Sequence, residues 1–168
     1  MRFDVGIWCR QGINKYRPTG YFAWMRVHLS WRLVQYRILF NAGMSIYVAI
    51  AVGGSMGAVS RYWMTTTTYQ WLGVGFPFGT LAVNLLGSLA MGFLSILLLD
   101  RFQVSDEIRI GLLVGFLGSF TTFSAFAIDV LQLGSTQSVL KAILYILLSV
   151  LLCILGAWVG LLAAKQLV

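Results

Sequence analysis

Charge is what this sequence has least of. Only 10% of its residues are charged, and the acidic ones are Asp4, Asp100, Asp106, Glu107 and Asp129. His28 is the lone histidine, so no triad or metal cluster can be built on imidazoles. Cys9 and Cys153 make a poor disulfide pair, one in a polar stretch and the other in an apolar run, and neither has metal-ligand spacing around it. Proline is confined to Pro18 and Pro77, in stretches that read as connections. These absences remove the usual equipment of an enzyme, and the chain reads as a non-enzyme.

What is there is apolar. Hydrophobic residues make up 59% of the chain and the mean hydropathy is +0.84. A crossing helix takes about 20 apolar residues, so four crossings and short loops use nearly everything after Ala42. The expected fold is an all-α membrane protein with helices at about 45–64, 76–99, 108–133 and 139–164, placed in the cell inner membrane as a multi-pass protein in contact with the lipid bilayer.

The net charge of +7 is unevenly held. Residues 1–43 carry seven basic side chains against Asp4, whereas the rest carries five against four, a net of +6 and +1. Residues 1–43 therefore form a basic, aromatic-rich extension. Two readings stand: an interfacial amphipathic helix, or a segment upstream of a true start at Met44. Its arginines are interspersed with Trp and Leu, which suits lipid headgroups better than a phosphate backbone, so no nucleic-acid partner is expected.

The stretch that organises the body is Gly115–Phe126, Gly-Phe-Leu-Gly-Ser-Phe-Thr-Thr-Phe-Ser-Ala-Phe, in the middle of the third segment. Freed backbone groups in hydrocarbon cost several kcal/mol each unless they are satisfied. A helix interrupted at the bilayer midplane therefore marks an ion or substrate site. Phe123 and Phe126 follow at i, i+3 and share a face. In the second segment Thr80, Asn84 and Ser88 fall at i, i+4, i+8, as do Tyr145, Ser149 and Cys153 in the fourth, so two helices each present a polar stripe. Asn84 stands out because its amide needs partners in a medium that offers none. The small-residue run Gly53–Ala58 lets another helix approach closely. Arg61, at the end of the first segment, reads as snorkelling or as a charge at an anion vestibule. Asp129 reads as an interfacial carboxylate.

These pieces resemble the Fluc/CrcB family of fluoride channels over about Ser45–Ala164. The matching elements are Gly53-Gly54-Ser55-Met56-Gly57-Ala58-Val59-Ser60-Arg61-Tyr62, then Gly79-Thr80-Leu81-Ala82-Val83-Asn84-Leu85-Leu86-Gly87, then Gly115–Phe126. The resemblance implies a fluoride-selective channel giving passive fluoride export. It implies an antiparallel, dual-topology homodimer of four-helix subunits with a broken third helix, and a structural sodium ion at the dimer centre. It assigns the sodium-binding carbonyls to Gly118 and Thr121, the ring pair to Phe123 and Phe126, and the anion-engaging amide to Asn84. Thr80, Tyr145 and Ser149 join the polar track, and Arg61 the vestibule. Ser119 stands where many relatives have a second glycine, and Cys153 where a hydroxyl is common.

The chemistry of the residues points the same way. A fluoride pore must replace lost water with hydrogen-bond donors, and Asn, Ser, Thr and Tyr supply them without a fixed counter-charge. Aromatic rings are positive at their edges, so Phe123 and Phe126 can face an anion. Started at Met44, the chain carries three basic residues on one side and two on the other, a bias that barely orients it; residues 1–43 would fix one orientation. The alternative is a small multidrug-type proton-coupled exporter, which relies on a membrane-embedded glutamate, whereas the lone glutamate here is Glu107 in a connection.

Overall fold

The computed structural model describes residues 44–102 and 104–168. The basic extension, with both readings of it, lies outside the described residues. Every regular element among the described residues is helical. Helix α1 is Met44–Leu72, α2 is Phe78–Ile96 with a π-helical continuation Leu97–Arg101, α3 covers 106–120, α4 is Phe123–Thr136 and α5 is Val139–Lys165.

The first helix runs eight residues past its expected end at Met64. Thr65–Gln70 reads as a turn, yet it stays helical. The threonine hydroxyls turn back on the helix: Thr65 Oγ1 donates to the Arg61 carbonyl at 2.7 Å, Thr66 Oγ1 to that of Tyr62 at 2.9 Å, and Thr68 Oγ1 to that of Met64 at 2.7 Å. Such i−4 bonding satisfies a hydroxyl without help from water. The helix stops at Gly73, whose φ of 78° is open to glycine at no steric cost.

Among the described residues, three helical stretches are long and apolar enough to cross a bilayer: Phe78–Leu99, Asp106–Thr136 and Val139–Lys165. Helix α1, at 29 residues, has the length, but its glycines, threonines and Arg61 dilute its hydropathy.

The helices pair closely through small residues. Helix α1 lies on α3, and a Cβ on Gly57 would overlap the Phe116 carbonyl oxygen, while one on Gly115 would sit 2.9 Å from that of Ile50. Helix α2 lies along α5, where a Cβ on Gly92 would overlap the Ala157 carbonyl. Where lipid tails are as apolar as the side chains, such backbone approach is a main source of helix attraction. The interior holds Val83, Leu113, Leu117, Leu133 and Tyr145. The outside of α5 is apolar along its length, from Val139 and Leu140 through Leu151 to Trp158 and Leu162.

Candidate functional site: the interruption between α3 and α4

Helix α3 approaches its end through a π-helical stretch, Gly111–Leu117, and three further helical residues, Gly118–Phe120. Thr121 (φ −81°, ψ 157°) and Thr122 (φ −149°, ψ 117°) are then extended before α4 resumes at Phe123. Two extended residues free the backbone groups that continuous helix would pair.

Asn84 answers this. Its Oδ1 accepts from the Thr122 N–H at 2.7 Å and its Nδ2 donates to the Thr122 carbonyl at 2.9 Å. One side chain thus satisfies both polar groups of one peptide residue, reaching from α2 across 38 positions of sequence. The reading of Asn84 as an anion-facing amide did not anticipate this partner. An amide NH2 has two donors, so one N–H remains after the bond to Thr122. Thr122 itself caps α4: its Oγ1 accepts from the Ala125 N–H at 3.2 Å and lies 3.3 Å from Ser124 Oγ. A threonine immediately before an apolar helix is an N-cap signal that could have marked it in advance.

The carbonyls of Gly118 and Thr121 lose their helical donors as a consequence. The Thr122 N–H that would close a bond to Gly118 goes to Asn84, and the Ala125 N–H that would serve Thr121 goes to the Thr122 hydroxyl. Gly118 is exposed and Thr121 half-buried. Ser119 fits its tight position, with its Oγ 3.2 Å from where a Cβ on Gly54 would be.

From the interruption a chain of rings leads away. Phe123 and Phe126 have centroids 5.5 Å apart, and Phe126 lies 5.3 Å from Tyr145. Phe123 is 79% exposed, whereas Tyr145 is wholly enclosed. The Tyr145 hydroxyl donates to Asp129 Oδ2 at 3.3 Å. Asp129, read as an interfacial carboxylate, thus sits half-buried in mid-α4 and bonds to the polar stripe of α5.

Thr80 and Ser149 are both buried, and Ser149 Oγ has no hydrogen-bond partner among the described residues. Such a buried hydroxyl costs stability unless water or an ion meets it. The structure therefore brings Asn84, Thr121, Thr122, Phe123, Phe126 and Tyr145 into one connected group. Arg61 is half-buried on α1, and no hydrogen bond or ion pair among the described residues joins its guanidinium to that group. Cys153 is half-buried and unpaired on α5.

Residues 48–161 match the family model described as CrcB-like protein, Camphor Resistance (CrcB). A protein of Methylococcus capsulatus is 50% identical over 119 residues, which is 71% of this chain and 52% of that one. The match thus spans about half the length of that relative, but nearly all of two others. A Magnetococcus marinus protein is 47% identical over 69% of this chain and 94% of its own, and a Geobacter sulfurreducens protein 43% identical over 74% and 100%. All three are named fluoride-specific ion channel FluC. With three helices among the described residues able to cross a bilayer, the chain is a multi-pass membrane protein.

Proposed function

The chain belongs to the CrcB-like family, and we propose that it is a fluoride-selective ion channel that lets fluoride leave the cell passively and so lowers cytoplasmic fluoride. It performs no catalysis. The observation that carries this reading is the run of rings from the interruption, Phe123 to Phe126 to Tyr145, beside donors that the fold leaves unspent.

Fluoride holds its water tightly, so a path through the protein must return hydrogen bonds or positive ring edges at each step. Phe123 and Phe126 offer edges. Asn84 keeps one N–H after clamping Thr122, and Ser149 offers a buried hydroxyl without a partner among the described residues. Thr80 lies buried on α2, the helix packed along α5, and completes the polar track. Tyr145 spends its proton on Asp129 and so contributes its ring. No fixed cation stands among these groups, which favours passage over trapping, because conduction needs sites weak enough to leave. Arg61 supplies positive charge at the vestibule.

The assembly is an antiparallel, dual-topology homodimer in the inner membrane. Each subunit crosses four times, α1 making the first crossing, with the third crossing broken at Thr121–Thr122. Support comes from the exposed Gly118, whose carbonyl loses its helical donor to Asn84 and would be left unsatisfied against lipid. The chemistry of the donor set fits a sodium ion between subunits: Gly118 and Thr121 present carbonyls released from helical bonding, the kind of oxygen that unwound membrane helices offer Na+. Bound there, the ion would satisfy those carbonyls and hold the two interruptions together.

The test is fluoride efflux from liposomes holding the full chain, followed with a fluoride electrode, with Phe123→Ile and Phe126→Ile alongside. Fluoride release without chloride release, slowed by both changes, is expected. Release indifferent to both would leave the channel and discard the ring path. Proton exchange for an organic cation, with neither anion moving, would replace the channel by the exporter.

A further inference from the structure

The run of rings does not end at Tyr145. Phe76 packs against it edge to face, with centroids 5.4 Å apart and planes at 86°, and lies 4.8 Å from Phe78. Phe76 belongs to the short connection between α1 and α2. On either side of it Gly75 and Pro77 line an open cleft of about 330 Å³, together with Tyr69, Asp129 and Gln137. Phe76 faces the other way, into the cluster formed by Leu133, Ala142 and Tyr145. The connection is therefore one part of the wall between the cleft and the enclosed ring of Tyr145, beside Leu133 and Asp129, which line the cleft and also meet Tyr145.

Apart from Phe76, the connection is lightly packed. Gly73 and Gly75 have no other residue near where a Cβ would be. One side-chain bond crosses to it from the turn between α4 and α5: Gln137 Nε2 donates to the Gly75 carbonyl at 2.9 Å. Lys141 Nζ in turn donates to Gln137 Oε1 at 2.9 Å, which orients the amide.

We propose that Phe76 is a third ring of the ion path, forming the constriction between Tyr145 and the cleft, and that Gln137 is its positioning residue. This rests on the channel reading. An ion leaving Phe126 passes the Tyr145 ring and meets the edge of Phe76 before it reaches the cleft. The Gln137–Gly75 bond sets how closely that edge approaches.

The experiment is fluoride efflux from liposomes holding the full chain, comparing wild type with Phe76→Leu, Phe76→Tyr, Gln137→Ala and the Phe76→Leu/Gln137→Ala double variant. Phe76→Leu keeps the bulk and removes the ring, and is expected to slow release about five- to tenfold, the range of a single aromatic interaction. Phe76→Tyr keeps the ring and should stay within about twofold on the same scale. Gln137→Ala should slow release about threefold and have no further effect in the Phe76→Leu background, because both act through one ring. The inference is overturned if Phe76→Leu elutes as wild type and releases fluoride at the wild-type rate, or if the two single effects multiply. Should Phe76→Leu fail to assemble, the exposed Gln137→Ala decides, and an unchanged rate overturns the inference. A wild type that releases no fluoride overturns the channel reading, and this inference with it.

Discussion

Replacing Asn84 by alanine tests whether this side chain is a brace as well as a pore donor. The change removes two bonds, of 2.7 Å and 2.9 Å, and strands the N–H and C=O of Thr122. A polar group left without a partner in a buried setting costs about 1–3 kcal/mol. Thr122 is 8% exposed, so water reaches it poorly and the two groups together should cost about 2–6 kcal/mol. For a chain of this size that corresponds to a Tm lower by about 5–15 °C. The assay is thermal unfolding in detergent, read by loss of the monodisperse chromatographic peak, beside fluoride efflux at a temperature where the variant is intact. An Asn84 that serves the anion alone would lose flux while melting as wild type. A Tm within about 1 °C of wild type, smaller than the shift from one lost hydrogen bond, would refute the brace.

Thr122→Ala removes the cap of α4 and should cost about 1 kcal/mol, whereas Thr122→Ser, which keeps the acceptor, should melt close to wild type; the same thermal assay reads both. Gly92→Val places a side chain on the Ala157 backbone, which cannot yield as a flexible side chain would. The variant is expected to lose its monodisperse peak, and normal elution would contradict the close packing of α2 on α5. Exchanging sodium for N-methylglucamine throughout purification should lower the Tm and slow fluoride release, with recovery when sodium is returned, whereas potassium alone should not restore it. Indifference to the exchange would remove sodium from Gly118 and Thr121.

Much of the fold is legible along the chain because lipid imposes a simple rule on length and hydropathy. The second and fourth segments sit where the apolar runs place them, since little in Phe78–Ile96 or Val139–Lys165 competes with helix. The interruption could be located from the glycine and threonine content of Gly115–Phe126. The end of α1 could not, because four consecutive threonines read as a polar turn unless their hydroxyls bond back to the helix. The partner of Asp129 was not legible for a related reason: position along a helix says how deep a residue lies, but not that a tyrosine from α5 reaches it.

Composition and hydropathy suffice to place the chain in a membrane, and spacing suffices to put Phe123 with Phe126, and Tyr145 with Ser149, on shared helical faces. They do so because helical periodicity and transfer free energy are local properties, readable one segment at a time. Which polar groups are spent and which remain free is a matter of pairing between segments. Only the packing of α2 against the interruption turns Asn84 onto Thr122, and that bond in turn frees the Gly118 carbonyl. The enclosure of Tyr145 between Phe126 and Phe76 has the same origin, since rings from three separate stretches meet there and no single stretch encodes their contact.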